Sequence, residues 1–304
     1  EKFKDSQGNE VKNFELNLVR HFSLLKDIVA IYKICKIIKK EKPNLIHAHS
    51  SKGGLIGRIA AFIMRIPVVY TPNAFSYLSA ESNLKYRFFL NYEKIFKNFT
   101  TIFLACSFSE KDRARTEIKY KETKCKVWLN SIPAKYRVSI NPQKYLVTIG
   151  RPSYQKNTDR LINIFNFINK KLPNKFQLKI IGVGHYSPLK NKVQKMITDF
   201  KLENQVDLIE WLPREETINI LSSAYCFVST SRYEGVSFAN LEAMALGIPI
   251  VATNVDGNRD CTLDNQTGYL VNGDNDEFVD KLVALLENGE MRNLFSKKLE
   301  NFKI

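Results

Sequence analysis

The stretch SRYEGVSFANLEAMALGIPIVAT, Ser231 to Thr253, decides the fold. The run before it, AYCFVST (Ala224 to Thr230), is short, apolar and β-rich, bounded by Ser and Arg, and predicts a buried parallel strand. From Val236 to Leu246 the apolar residues Val236, Ala239, Leu241, Ala243, Met244 and Leu246 predict a well-buried helix, stopped by Gly247 with Pro249 beyond. IPIVAT follows at once as the next strand, so the unit is βαβ. Glu234 then falls at the carboxyl end of a strand, where open α/β sheets bind ligands. The turn Gly235, Val236, Ser237 and Phe238 leads into the helix, whose unpaired N–H groups and positive dipole end suit phosphate. Glu242, eight positions after Glu234 and two turns into the helix, can turn back to accept hydrogen bonds from a diol such as ribose. A carboxylate for a sugar, amides for a phosphate and a second carboxylate for a ribose describe a nucleotide-sugar site.

The remainder of the chain fits an enzyme of two such units. Its 304 residues exceed what one core usually serves, and 44% hydrophobic with 25% charged residues is a globular composition. No run of about 18 apolar residues suggests a membrane span. The opening EKFKDSQGNE is charged and lacks the apolar core of a signal peptide. The scattered cysteines Cys35, Cys106, Cys125, Cys226 and Cys261 suit a reducing cytoplasm rather than a disulfide frame or a zinc site. Residues 1–145 hold 27 Lys and Arg against 12 Asp and Glu, and so carry the whole net charge of +15. An anionic partner is expected on that side: membrane lipid, a polyphosphate acceptor or nucleic acid.

Along the chain, Leu18 to Lys40 has helical spacing, and strands follow in PNLIHAH, PVVYT, TIFLAC and KCKVWL. Between them lie helices at the small-residue run GLIGRIAAFIMR, near Leu84 to Phe96, and from Ser109 to about Ile118. Asn130 to Lys144 carries two prolines and reads as a linker. The alternation restarts with YLVTIG, FQLKIIG and VDLIE, each followed by a helix, and closes with helices near Asp276 to Glu287 and Glu290 to Asn301. The expected domains are residues 1–140 and 141–304, both α/β with parallel sheets.

The phrase E-G-V-S-x-x-x-L-E-A-M-A-x-G-x-P-I-V-A-T resembles the E-x7-E motif of the retaining family-4 glycosyltransferases, whose GT-B fold sets two Rossmann-like domains across a cleft. The resemblance runs from about Leu18 to Phe295. Relatives usually begin with a strand and a glycine-rich loop, whereas the first strand–loop unit here, PNLIHAHSSKGG, is similar to a later one; the expectation is an N-terminal domain lacking its first βαβ. A final helix beyond Ile304 is expected to be missing as well.

The resemblance also distributes roles. IGRPSYQKN is similar to the family's G-R-x-x-x-x-K loop, which implies that Arg151 and Lys156 grip the donor diphosphate and stabilise the charge that builds there as the sugar departs. Glu234 is implied at the donor sugar and Glu242 at the ribose. IIGVGHYSP, with Gly182 and Gly184, either borders the nucleotide pocket or is only a tight turn. EWLPREE is similar to the segment that reads the base, with Trp211 in packing or in base contact. HSSKGG is implied to face the cleft, Lys52 and Gly53 near the acceptor, and TPNAF places Asn73 where many relatives have histidine. Asn73 can bond a sugar hydroxyl but cannot act as an acid or base.

His47 and His49 share a strand face without the further ligands a metal would need, and Asp274-Asn275-Asp276 imitates a D-x-D metal motif while standing where a helix cap belongs. No metal or other cofactor is expected. The implied reaction is retaining transfer of a hexose or N-acetylhexosamine from a nucleoside-diphosphate sugar to a polyprenyl-diphosphate-linked glycan, by an enzyme peripheral to the cytoplasmic face of an anionic membrane. Asn83 to Lys97 sets Tyr86, Phe88, Phe89, Tyr92, Ile95 and Phe96 among Lys85, Arg87, Lys94 and Lys97, as such a surface would require. The alternatives are a nucleotide-sugar epimerase or phosphorylase on the same fold, or a non-catalytic polyanion-binding protein; no nucleic-acid-binding module is visible.

Overall fold

The computed structural model describes residues 4–5, 7–16, 18, 23–132 and 142–300. Most of the linker segment, residues 133–141, therefore lies outside the described residues.

The N-terminal half runs α1 (Leu24–Glu41), β1 (Ile46–His49), α2 (Ser51–Met64), β2 (Val68–Thr71), α3 (Asn83–Phe96), β3 (Ile102–Ala105), α4 (Phe108–Arg113) and β4 (Cys125–Val127). Its strands form a parallel sheet in the order β1-β2-β3-β4. The first helix starts at Leu24 behind its cap residue Ser23, later than its hydrophobic spacing suggests, and Leu18 stands outside it. The small residues of α2 let it lie close on the sheet. A Cβ on Gly54 would fall 2.2 Å from the Tyr70 ring, and one on Gly57 would fall 2.8 Å from the Ala48 Cβ. Tyr70, Phe75, Tyr77, Phe103 and Tyr120 fill the core. The helix expected from Ser109 to Ile118 is broken: α4 ends at Arg113 and a π turn takes the chain from Ala114 to Ile118.

The C-terminal half runs β5 (Tyr145–Ile149), α5 (Thr158–Lys171), β6 (Gln177–Ile181), α6 (Lys190–Asp199), β7 (Val206–Ile209), α7 (Arg214–Ser222), β8 (Cys226–Ser229), α8 (Phe238–Ala245), β9 (Ile250–Thr253), α9 (Asn258–Cys261), β10 (Gly268–Val271), α10 (Asn275–Glu287) and α11 (Gly289–Glu300). Its sheet is parallel throughout, in the order β10-β9-β8-β5-β6-β7. Each face is sealed by its own apolar cluster, with Leu161, Phe165, Phe278 and Leu282 on one side and Leu241, Met244, Leu246 and Ile248 on the other. Such side chains contribute about 1.5–3 kcal/mol each when fully buried. The chain leaves β5 toward β6 and β7, then returns to place β8 on the opposite flank of β5. Order therefore reverses between β5 and β8, which is where open sheets of this kind hold ligands.

Candidate active site

The loops leaving β5 and β8 meet above that switch point. Glu234, on the β8 loop, is 6% exposed. Its Oε1 accepts from Lys156 Nζ at 2.6 Å and from Ser231 Oγ at 2.7 Å, while Oε2 accepts from Gln155 Nε2 at 3.2 Å. Lys156 reaches it across Gly150, whose φ is 145°; a Cβ there would stand 2.9 Å from the lysine Cε. The two loops are fastened by their backbones as well. Arg232 N donates to Gln155 O at 2.8 Å, and Thr230 Oγ1 donates to the carbonyls of Lys156 and Asn157. Arg151, at the start of the β5 loop, remains exposed to solvent. An ammonium on a buried carboxylate, with an exposed guanidinium at the start of the same loop, suits a diphosphate joined to a hydroxyl-rich group.

Glu242, on the helix that follows the β8 loop, is likewise 6% exposed. The helix carrying it begins at Phe238, not Val236, so Glu242 is about one turn into α8 rather than two. Gly235 and Val236 belong to the turn, and Ser237 is the cap residue, making no side-chain cap bond. Burial raises the Glu242 carboxyl above its usual range, and Arg214, 2.8 Å away, opposes that shift. Gly182 and Gly184 form the turn after β6 beneath Trp211: a Cβ on either would come within 3.3 Å of the indole. The indole is nonetheless 65% exposed.

The N-terminal half meets the β8 loop directly. Asn73 and Ala74 lie at φ 52° and 78°, and a Cβ on Gly235 would stand 2.9 Å from both Asn73 C and Ala74 N. The Ala74 amide donates to Glu110 Oε1 at 2.8 Å, and the Cys106 amide to Oε2 at 2.9 Å. Glu110 is buried, which raises its carboxyl despite those donors. Lys52 and Gly53 sit in the first turn of α2, with Lys52 paired to the buried Asp27 of α1 at 2.6 Å. The structure thus brings Asn73 to the Glu234 loop, whereas Lys52 is engaged with α1. The His47 and His49 rings are 3.9 Å apart, and His47 Nε2 bonds Thr71 Oγ1 at 2.9 Å. Burial and the neighbouring His49 lower the His47 pKa. Among the described residues no group of three or more His, Cys, Asp or Glu side chains is disposed to hold a metal, and Asp274 caps α10 through the Asp276 and Glu277 amides.

Several supports carry no motif of their own. Gln155 and Ser231 orient Glu234; Glu110 fixes Ala74; Asn258, fully buried, donates to Thr253 O at 3.0 Å and accepts from Asn240 at 2.8 Å. Ser107 with Glu110 three residues on is a capping-box pattern, the one sequence signal that marks any of them.

Two facing parallel-sheet halves with carboxylates and cations gathered at the second half's switch point define the GT-B architecture of glycosyltransferases. The chain belongs to the glycosyl transferases group 1 family, which its residues 135–302 match, and residues 4–136 match glycosyltransferase family 4. It is 31% identical over 309 residues to the Escherichia coli UDP-Gal:alpha-D-GlcNAc-diphosphoundecaprenol alpha-1,3-galactosyltransferase, covering 95% of this chain and 78% of that protein. It is 27% identical over 327 residues to the Staphylococcus aureus capsular polysaccharide biosynthesis glycosyltransferase CapM, covering 97% and 84%. Among solved structures, Anabaena Alr3699/HepE in complex with UDP and glucose superposes with a TM-score of 0.74 at 20% identity, over 89% of this chain and 75% of that one. The protein is a glycosyltransferase.

Proposed function

We propose that the protein is a retaining enzyme that transfers a hexose or N-acetylhexosamine from a uridine-diphosphate sugar to a polyprenyl-diphosphate-linked glycan in surface-polysaccharide synthesis, at the cytoplasmic face of the membrane. The observation that carries this reading is the buried Glu234, held by Lys156 from the opposite loop at the switch point. The name of the Escherichia coli relative supports the donor and the lipid-linked acceptor. Glu234 accepts from donor-sugar hydroxyls, Glu242 from the ribose diol, and Arg151 and Lys156 bind the diphosphate. The acceptor hydroxyl attacks the anomeric carbon on the face from which the diphosphate leaves. The C1–O bond to phosphate breaks, and the departing phosphate oxygen takes the hydroxyl proton. The protein supplies no nucleophile. Fixed cations on the leaving group stabilise the transition state more than the ground state. With that charge met by side chains, transfer requires no divalent cation.

The test is incubation with UDP-galactose, UDP-glucose and UDP-N-acetylglucosamine, with and without N-acetylglucosaminyl-diphosphoundecaprenol and chelator, the product's anomeric configuration being read by NMR. An α-linked product formed despite chelator is expected; a C4-epimerised donor or a free sugar phosphate would favour the epimerase or phosphorylase instead. Glu242→Ala should weaken UDP binding by about 1–3 kcal/mol, the loss of one buried acceptor. Glu234→Ala should retain UDP affinity and lose transfer. Equal calorimetric affinities of wild type and Glu242→Ala for UDP would sink the ribose assignment.

A further inference from the structure

Helix α4 is gripped by the other half of the molecule. Asp260 Oδ1 accepts from the Phe108 and Ser109 amides at 2.9 and 3.1 Å, and its Oδ2 accepts from the Ser109 hydroxyl. Ser109 Oγ accepts in turn from the Gly257 amide at 3.0 Å. One turn along, the Arg113 guanidinium pairs with the buried Asp256. Two side chains of the N-terminal half and two of the C-terminal half thus form one charged, hydrogen-bonded junction.

Both sides of this junction lead to the site. Gly257, at φ 77°, lies so close under the β8 loop that a Cβ would fall 2.5 Å from Gly235 O and 2.9 Å from Glu234 Cβ. On the other side, Glu110 follows Ser109 on α4 and holds the Ala74 amide. Helix α4 therefore fixes the Asn73–Ala74 turn through Glu110 and grips the support of Glu234 and Gly235 through Ser109 and Arg113. The Asn73–Ala74 turn and Gly235 are the very surfaces that touch across the two halves.

We propose that Ser109, Arg113, Asp256 and Asp260 are positioning residues, a clasp that sets the gap between the acceptor-side turn and Glu234. The kinetic consequence rests on the role proposed above for Glu234; the mechanical one does not. In Ser109→Ala and Asp260→Ala, small-angle scattering of the whole chain should show a larger radius of gyration. Transfer kcat should fall about 100-fold, the order expected when reacting groups shift by an ångström. Calorimetric UDP affinity should stay within about twofold, because the β5 and β8 loops are untouched. Ser109→Thr, which keeps the hydroxyl, should restore kcat. The double variant should be little worse than either single one, as groups sharing one interaction are non-additive. Arg115→Gln, which removes an exposed ion pair to Glu122 within the N-terminal half, is the control and should change nothing. An unchanged radius in both single variants, or UDP affinity lost in step with kcat, overturns the clasp. If the wild type transfers no sugar from any UDP donor, the assigned reaction fails while the scattering comparison still decides the clasp.

Discussion

Ala74 occupies a backbone region that L-residues enter at a penalty of about 1–2 kcal/mol. Its φ of 78° persists because the buried Glu110 holds its amide and because Gly235 presents no side chain to the turn. This chain therefore stores strain at the point of contact between its halves. Ala74→Gly should release that strain, less about 0.5–1 kcal/mol for the greater freedom of glycine in the unfolded chain. The expected result is a net gain of up to about 1.5 kcal/mol, read as a higher urea midpoint at constant slope. A lower midpoint would mean that the Ala74 methyl packs better than its conformation costs.

At the scale of elements, α2 and α3 are joined by a wholly buried ion pair. Arg58 and Glu93 are both 0% exposed and 3.0 Å apart; Tyr70 OH donates to the same carboxylate at 2.9 Å, and the guanidinium lies 3.9 Å over the Tyr70 ring. Arg58→Ala should destabilise the protein by about 3–5 kcal/mol, because it strands a charge rather than merely deleting a bond. Arg58→Met combined with Glu93→Leu should recover much of that loss in thermal melts. Equal losses in the single and double variants would show that packing volume, not charge, holds the helices.

In sequence these two residues are ordinary helix charges, and that marks the limit of what spacing reveals. Strands β1 to β9 are legible as short apolar runs closed by Gly, Pro or polar residues. GYLV of β10 is not, since its few apolar residues stand between two turn-like segments and its burial comes from the neighbouring β9. Glu234 and Lys156 are legible because each follows a recognisable strand. Glu110, Asn258 and Asp260 are not, since each acts through a partner brought near only by the fold.

At the scale of the whole molecule, the net charge of +15 lies entirely in residues 1–145. Helix α3 leaves Leu84, Phe88 and Ile95 at 81%, 64% and 60% exposure, while Tyr86, Phe89 and Leu90 pack against the core. Lys97 is taken up by the carbonyls of Ile118 and Lys119, so Lys85, Arg87 and Lys94 remain as the basic rim. Among the described residues no helix is long and apolar enough to cross a membrane. We propose from the basic rim and exposed apolar residues of α3 a reversible attachment to anionic bilayers, at about 1 kcal/mol per basic residue near the surface. It should weaken as salt shortens the Debye length. Co-sedimentation with anionic and neutral vesicles measures this, with Lys85, Arg87 and Lys94 changed to Gln as the probe. Binding indifferent to lipid charge or to those substitutions would assign the basic half to another partner.

The strand order has a further consequence, for how the molecule comes into being. The first strand of the second half, β5, lies between β6 and β8, yet β8 is the fourth to be synthesised. A growing chain that ends after β7 can form only one flank of that sheet, and the open flank of β5 is an unpaired, apolar edge of the kind that invites misassociation. Docking of β8 closes the edge and, in the same event, carries Glu234 to Lys156. Biogenesis and assembly of the proposed site thus share one step, and damage within Cys226–Ser229 should lower the yield of folded protein in the cell before it lowers the turnover of the molecules that survive.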